Sequence, residues 1–156
     1  MTKVKLITFL LFTFLFTLCV NAQKAEIDKD AIGQVNQIYV EDDTSVLPLK
    51  ERLAPYLRTE LAKQGFVISE SRENADVILS SEISAQVTLD GDSNNPPDKA
   101  IYYCRLLSSS GKLYWKTTVK FVFKSDWTEN NKFGAQKIAE KFYKDWQKSA
   151  KKLADK

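Results

Sequence analysis

Val77-Ile78-Leu79-Ser80-Ser81-Glu82-Ile83-Ser84-Ala85-Gln86-Val87-Thr88-Leu89 decides the fold class. Its odd positions carry Val77, Leu79, Ser81, Ile83, Ala85, Val87 and Leu89, while the even positions after Ile78 carry Ser80, Glu82, Ser84, Gln86 and Thr88. Successive side chains on a strand point to opposite faces, so this pattern predicts a long strand with one dry face and one wet face. Downstream, Asp90 to Lys99 contains Gly91, Asn94, Asn95, Pro96 and Pro97 and reads as a surface loop. A hairpin follows, with strands over 101–108 and 112–124 joined through Ser109-Ser110-Gly111. On its second strand Leu113, Trp115, Val119, Phe121 and Phe123 share one side. Tyr114, Lys116, Thr118, Lys120 and Lys124 share the other, with Val122 the exception.

Upstream of the deciding stretch, Phe66-Val67-Ile68 is a short strand and Glu70 to Ala75 a polar corner. Val46, Leu49, Leu53, Leu57 and Leu61 recur at helical spacing, and Gly65 supplies a left-handed cap at the helix end. Pro55 collides with the carbonyl of Glu51 unless it lies in the first turn, so the helix either kinks there or begins near Leu53. Residues 35–40 form the first strand, broken by Glu41-Asp42-Asp43-Thr44-Ser45. At the other end, Ile138, Phe142, Trp146, Ala150 and Leu153 form an apolar stripe on a closing helix that begins near Asn131. The predicted fold is α+β: a β-α-β unit, a three-strand antiparallel meander and a C-terminal helix. Its mixed sheet carries both helices on one face and leaves the other wet.

The N-terminus predicts the address. Lys3 and Lys5 precede an apolar run from Leu6 to Val20, and Val20-Asn21-Ala22 places small or modest side chains where a signal peptidase reads. The run is shorter than the roughly 20 apolar residues a spanning helix needs. Cleavage before Gln23 is therefore expected, with residues 1–22 a signal peptide, 23–33 a flexible lead and 34–156 a single domain. No transmembrane span would remain, and the protein would be exported to the periplasm or secreted. Lipidation at Cys19 is disfavoured by Leu18, since that signal requires a small residue there. Removing 1–22 takes away two lysines and no acid, lowering the formal charge from +3 to +1. A nearly neutral chain argues against nucleic acid as a partner. Only Cys104 survives processing, so no intrachain disulfide can form.

Several stretches also resemble a known group. Ile38-Tyr39-Val40, Leu57-Arg58-Thr59-Glu60-Leu61-Ala62-Lys63-Gln64-Gly65, Glu73-Asn74-Ala75-Asp76-Val77-Ile78-Leu79 and Gly111-Lys112-Leu113-Tyr114-Trp115 occur in that order. Together they resemble small bacterial envelope proteins related to the TolB N-terminal domain, the lipopolysaccharide-assembly lipoprotein of the outer-membrane translocon, and the lipoprotein activators of penicillin-binding proteins. The resemblance covers most of residues 34–154 and implies a periplasmic binding or assembly module, usually noncatalytic and often membrane-tethered. Its motifs are packing motifs, so they bear on fold more than on reaction.

The chain contains no histidine, which removes Ser-His-Asp and Cys-His relays and imidazole ligands. The glycines are too dispersed for a phosphate-cradling loop. Glu41, Asp42 and Asp43 are the densest acidic cluster. They read as cap and first-turn residues, or alternatively as a carboxylate set for glycosidic hydrolysis. Asp90, Asp92 and Asn94 alternate as calcium ligands do, but Ile101 stands where the bidentate Glu should be, leaving at most weak binding. Cys104 alternates with Tyr102 and Leu106 and reads as a small apolar filler. Lys137, Lys141, Lys144, Lys148 and Lys151 form a basic stripe, either a solvated helix face or a contact for anionic lipid or glycan.

No catalytic, cofactor or metal site is expected. The expected function is noncatalytic: an exported cell-envelope binding or assembly module acting through its open sheet face. The partner would be an envelope protein or an anionic envelope polymer, met by Tyr103, Arg105, Tyr114, Lys116, Lys120 and Lys124. The alternatives are a carboxylate-dependent hydrolase of an envelope saccharide and a secreted structural domain without a specific ligand.

Overall fold

The computed structural model describes residues 27–28, 30–42, 52–86, 99–123 and 126–156. Its strands are β1 (Gln37–Val40), β2 (Val67–Ile68), β3 (Val77–Gln86), β4 (Lys99–Ser108) and β5 (Leu113–Val122). Two helices, α1 (Leu53–Lys63) and α2 (Trp127–Ala154), and a 3-10 turn at Ala31–Gln34 complete the described elements. The five strands lie in the order β2-β1-β3-β4-β5. β1 pairs parallel with β2 and β3, and the remaining neighbours are antiparallel. This is the predicted α+β architecture.

Both helices cover one face. Ile38, Val40, Val77, Leu79, Tyr102, Leu106 and Trp115 from the sheet share a core with Leu53, Leu57 and Leu61 of α1 and Ile138 and Phe142 of α2. Burial along β3 follows the alternation read from its sequence, with one exception. Ile78 lies on the face turned away from the helices yet is only 1% exposed, paired in register with Tyr39 and Leu107. The open face is thus not uniformly wet: Ile78 of β3 and Ile101 of β4 are both buried on it.

Helix α1 starts at Leu53, which places Pro55 in the first turn, where its missing N–H has no intrahelical partner to lose. The expected capping by Glu41 to Ser45 is not found for its described members. The N-cap position is Arg52, with no side-chain cap, and Asp42 instead forms ion pairs with Arg52 at 2.6 Å and Arg58 at 3.7 Å. The helix ends as predicted. Gly65 adopts φ +94°, its N–H donates to the Ala62 carbonyl and the Phe66 N–H to the Leu61 carbonyl, closing a Schellman motif.

Helix α2 begins at Trp127, four residues before its predicted start. The Asp126 carboxylate accepts from the Glu129 N–H at 2.9 Å, a cap hidden from periodicity because it lies upstream of the apolar stripe. Of that stripe, Ile138 and Phe142 are buried, whereas Trp146, Ala150 and Leu153 are half-buried. The hairpin turns through Gly111 at φ +83°, and its N–H donates to the Ser108 carbonyl at 2.9 Å. Asp76 anchors the sheet's parallel half, its carboxylate accepting from the Asn36 and Gln37 N–H groups at 3.0 and 2.8 Å.

The boundary drawn at residue 33 cuts through ordered structure. Ile32 is 3% exposed and belongs to the core, and the Ser149 hydroxyl accepts from the Gly33 N–H and donates to the Asp30 carbonyl, each at 3.1 Å. Glycine permits this docking: a Cβ at position 33 would stand 2.5 Å from the Ala150 nitrogen. Charged neighbours conceal Ile32 in the sequence, and the Ser149 hydroxyl that holds the turn lies more than a hundred positions away.

Candidate binding surface

The wet part of the open face is built by β4 and β5. Alternation turns Tyr102, Cys104 and Leu106 toward the helices and therefore Tyr103 and Arg105 away from them. The ladder sets Arg105 opposite Lys116, Tyr103 opposite Thr118 and Ile101 opposite Lys120. On the other flank, Ser80 faces Arg105 and Glu82 faces Tyr103. Arg105, Lys116 and Lys120 are exposed, and Tyr103 is 40% exposed. Four of the six residues singled out from the sequence thus lie together on one face.

Tyr114 departs from the grouping. Leu106 pairs with Trp115 but Leu107 pairs with Leu113, so Tyr114 is the extra residue of a β-bulge, half-buried and packed against the core cluster. A bulge interrupts the period of two and leaves no mark in the alternation itself. Lys124 lies outside the described residues, as do Asp43 and the Asp90–Asn95 loop.

Arg105 and Lys116 are like charges at directly opposed positions, where cross-strand Cβ atoms stand about 5 Å apart. Among the described residues neither makes an ion pair, and Lys120 makes none. The sheet therefore presents three cations outside any ion pair among the described residues, with Tyr103 offering a ring beside them and Glu82 the one carboxylate lining the same cleft.

A cleft of about 610 Å³ over this part of β4 and β5 is lined by Glu82, Tyr103, Arg105, Lys116 and Thr118, by Cys104 and Thr117 of the helix-facing row, and by Lys141 of α2. A second, of similar size, lies between β5 and α2, where Thr118 and Lys120 meet Lys137, Lys141, Lys144 and Lys148. Thr118 and Lys141 line both clefts. The basic stripe of α2 and the cations of the open face, read separately from the sequence, meet at the outer edge of the sheet.

The other candidates resolve differently. Glu41 forms an ion pair with Arg72 at 3.1 Å, and Asp42 is held by Arg52 and Arg58, so both carboxylates tie the end of β1 to neighbouring elements. Cys104 is 1% exposed, and burial pushes its thiol up to about 12, the condition of an inert filler rather than a nucleophile. Among the described residues no cluster of acids and cysteines is placed to hold a metal ion, and no helix is long and apolar enough to cross a membrane.

No protein-family model and no curated protein matches the sequence. Among solved structures, a variant of the PelC dodecamer from Paraburkholderia phytofirmans superposes with TM-score 0.53 at 13% identity, covering 70% of this chain and 89% of that one. A DUF4136 family protein from Bacteroides thetaiotaomicron gives TM-score 0.45 at 11% identity, covering 80% and 94% of the two chains. A minor lipoprotein from Acinetobacter baumannii gives TM-score 0.43 at 14% identity, covering 76% and 96%. The PelC likeness shows a shared fold; at these identities none of the three assigns an activity.

Proposed function

We propose that this chain is a noncatalytic, exported cell-envelope module that binds a negatively charged partner through the open face of β4 and β5. One observation carries the reading: Arg105 and Lys116 face each other across the ladder without an ion pair among the described residues, flanked by Lys120 and the exposed ring of Tyr103. Directly opposed like charges weaken a ladder by up to about 1 kcal/mol, so this arrangement does nothing for folding. It suits a partner whose acceptors neutralise the cations while the ring adds contact area. The apolar run at residues 6–20 and the small residues before Gln23 support export, and the resemblance of the packing motifs to envelope proteins supports the location.

Recovery of anionic envelope material by the immobilised protein tests this reading. Lys116→Glu with Lys120→Glu should reduce recovery, and the wild-type interaction should weaken with salt. Undiminished recovery by the folded variant would remove the open face from consideration. Export is checked by intact mass, which should begin at Gln23; a retained segment 1–22 or a diacylglycerol on Cys19 would contradict it. Saccharide turnover that disappears in Glu41→Gln or Asp42→Asn would favour the hydrolase alternative.

A further inference from the structure

Four of the seven lysines of α2, at positions 137, 141, 144 and 148, share one helix face running about 16 Å along the axis. Lys137 is paired with Glu140 at 3.3 Å, while Lys141, Lys144 and Lys148 make no ion pair among the described residues. Their cleft meets the open-face cleft at Thr118 and Lys141, around β5, the outer strand of the described sheet. Together the two clefts hold, among the described residues, seven cationic side chains against the carboxylates of Glu82, Glu140 and Asp145. Over the chain without residues 1–22, by contrast, the charges nearly cancel. The excess positive charge is gathered where the sheet ends.

We infer that the open-face site continues around the edge of β5 onto α2, and that this single band holds one acidic polysaccharide chain wrapped about the edge. The inference rests on the open-face reading and names its ligand class. Shape selects among polyanions. The cations lie on two sides of the sheet, so a flat bilayer reaches only one group at a time. Duplex nucleic acid, with a persistence length of about 50 nm, cannot turn around one strand. Single-stranded nucleic acid is held by a series of stacked aromatics, whereas Tyr103 is, among the described residues, the one exposed ring in the band. A glycan with carboxylates along its length bends at its linkages and can lay a sugar face on that ring. Six of the seven cations are lysines, compact charges on flexible stems that follow a chain rather than fork onto one phosphate.

Titration of the purified protein with polygalacturonate, against neutral dextran of similar length, tests the band. Polygalacturonate should bind and dextran should not. Lys116→Glu/Lys120→Glu and Lys141→Glu/Lys144→Glu should each weaken binding about tenfold or more, with circular dichroism unchanged. Bound polygalacturonate should also shield Lys116 and Lys141 together from acetylation. Loss confined to the Lys116/Lys120 variant would leave the open face standing and overturn the band. Loss confined to the Lys141/Lys144 variant would overturn both, leaving α2 alone as the binding surface. No loss in either variant would also overturn both. Tighter, lysine-dependent binding to phosphatidylglycerol vesicles or to single-stranded DNA would overturn the glycan assignment.

Discussion

The Trp115 indole N–H donates to the Asp145 carboxylate at 3.0 Å, tying the outer strand of the sheet to the middle of α2. Trp115 is 4% exposed and also meets the Phe142 ring edge-on, with centroids 5.2 Å apart. Trp115→Ala should therefore cost roughly 3–5 kcal/mol in denaturant unfolding. Asp145→Ala keeps the ring but deprives its N–H of this acceptor, and should cost about 1–3 kcal/mol. Unchanged midpoints for both variants would show that this contact does not hold β5 to the helix.

Gly33 supplies a second test, at the seam between the N-terminal turn and the end of α2. The atoms a Cβ would strike, Ala150 N and the Ser149 carbonyl carbon at 2.5 and 2.7 Å, are backbone and cannot swing aside. Gly33→Ala should destabilise by roughly 1–3 kcal/mol and accelerate amide exchange across residues 30–36. Wild-type exchange there would mean that the turn does not dock as described.

Ser81 and Thr117 sit on either side of Cys104 in the same cross-strand row, facing the helices. Both hydroxyls are buried and have no hydrogen-bond partner among the described residues. Desolvating such a group is unfavourable, so Ser81→Ala and Thr117→Val should leave stability unchanged or raise it by about 1 kcal/mol. A loss of that size in both variants would reveal partners for these hydroxyls.

Acid should release the N-terminal segment before the core unfolds. The Asp30 carboxyl is lowered by hydrogen bonds from Lys152 and then Lys156, and Asp28 chiefly by its bond from Lys112. A carboxylate whose folded pKa lies below its unfolded value stabilises the fold above the ordinary aspartate range, about 4, and loses that contribution as pH falls through the folded value. Both groups are exposed, so the effect should be small and reduced by salt. Protection of the Ile32 and Gly33 amides, taken relative to their intrinsic exchange rate at each pH, should fall on acidification below about pH 4, less so in Asp30→Asn. Protection that does not change with acid in the wild type would show that these ion pairs do not hold the segment.

Sequence alone determined whatever depends on near neighbours along the chain. Alternation over residues 77–89 and 112–124 oriented β3 and most of β5, the left-handed preference of Gly65 ended α1, and the steric demand of Pro55 restricted that helix to a kink or a start near Leu53. It also separated Arg105, Lys116 and Lys120 from the core, because facing on a strand follows from parity. Tertiary structure decided what depends on distant partners. Ile78 is dry on the open side through its cross-strand neighbours Tyr39 and Leu107, and Tyr114 is displaced by a bulge that exists only between two strands. The Ala31–Gln34 turn is ordered by Ser149 and Ala150, and Lys141 joins the sheet cations because α2 packs beside β5. Periodicity carries direction relative to the local backbone, whereas a shared surface depends on how the elements pack, and that is set by side-chain volumes and contacts summed over the whole core.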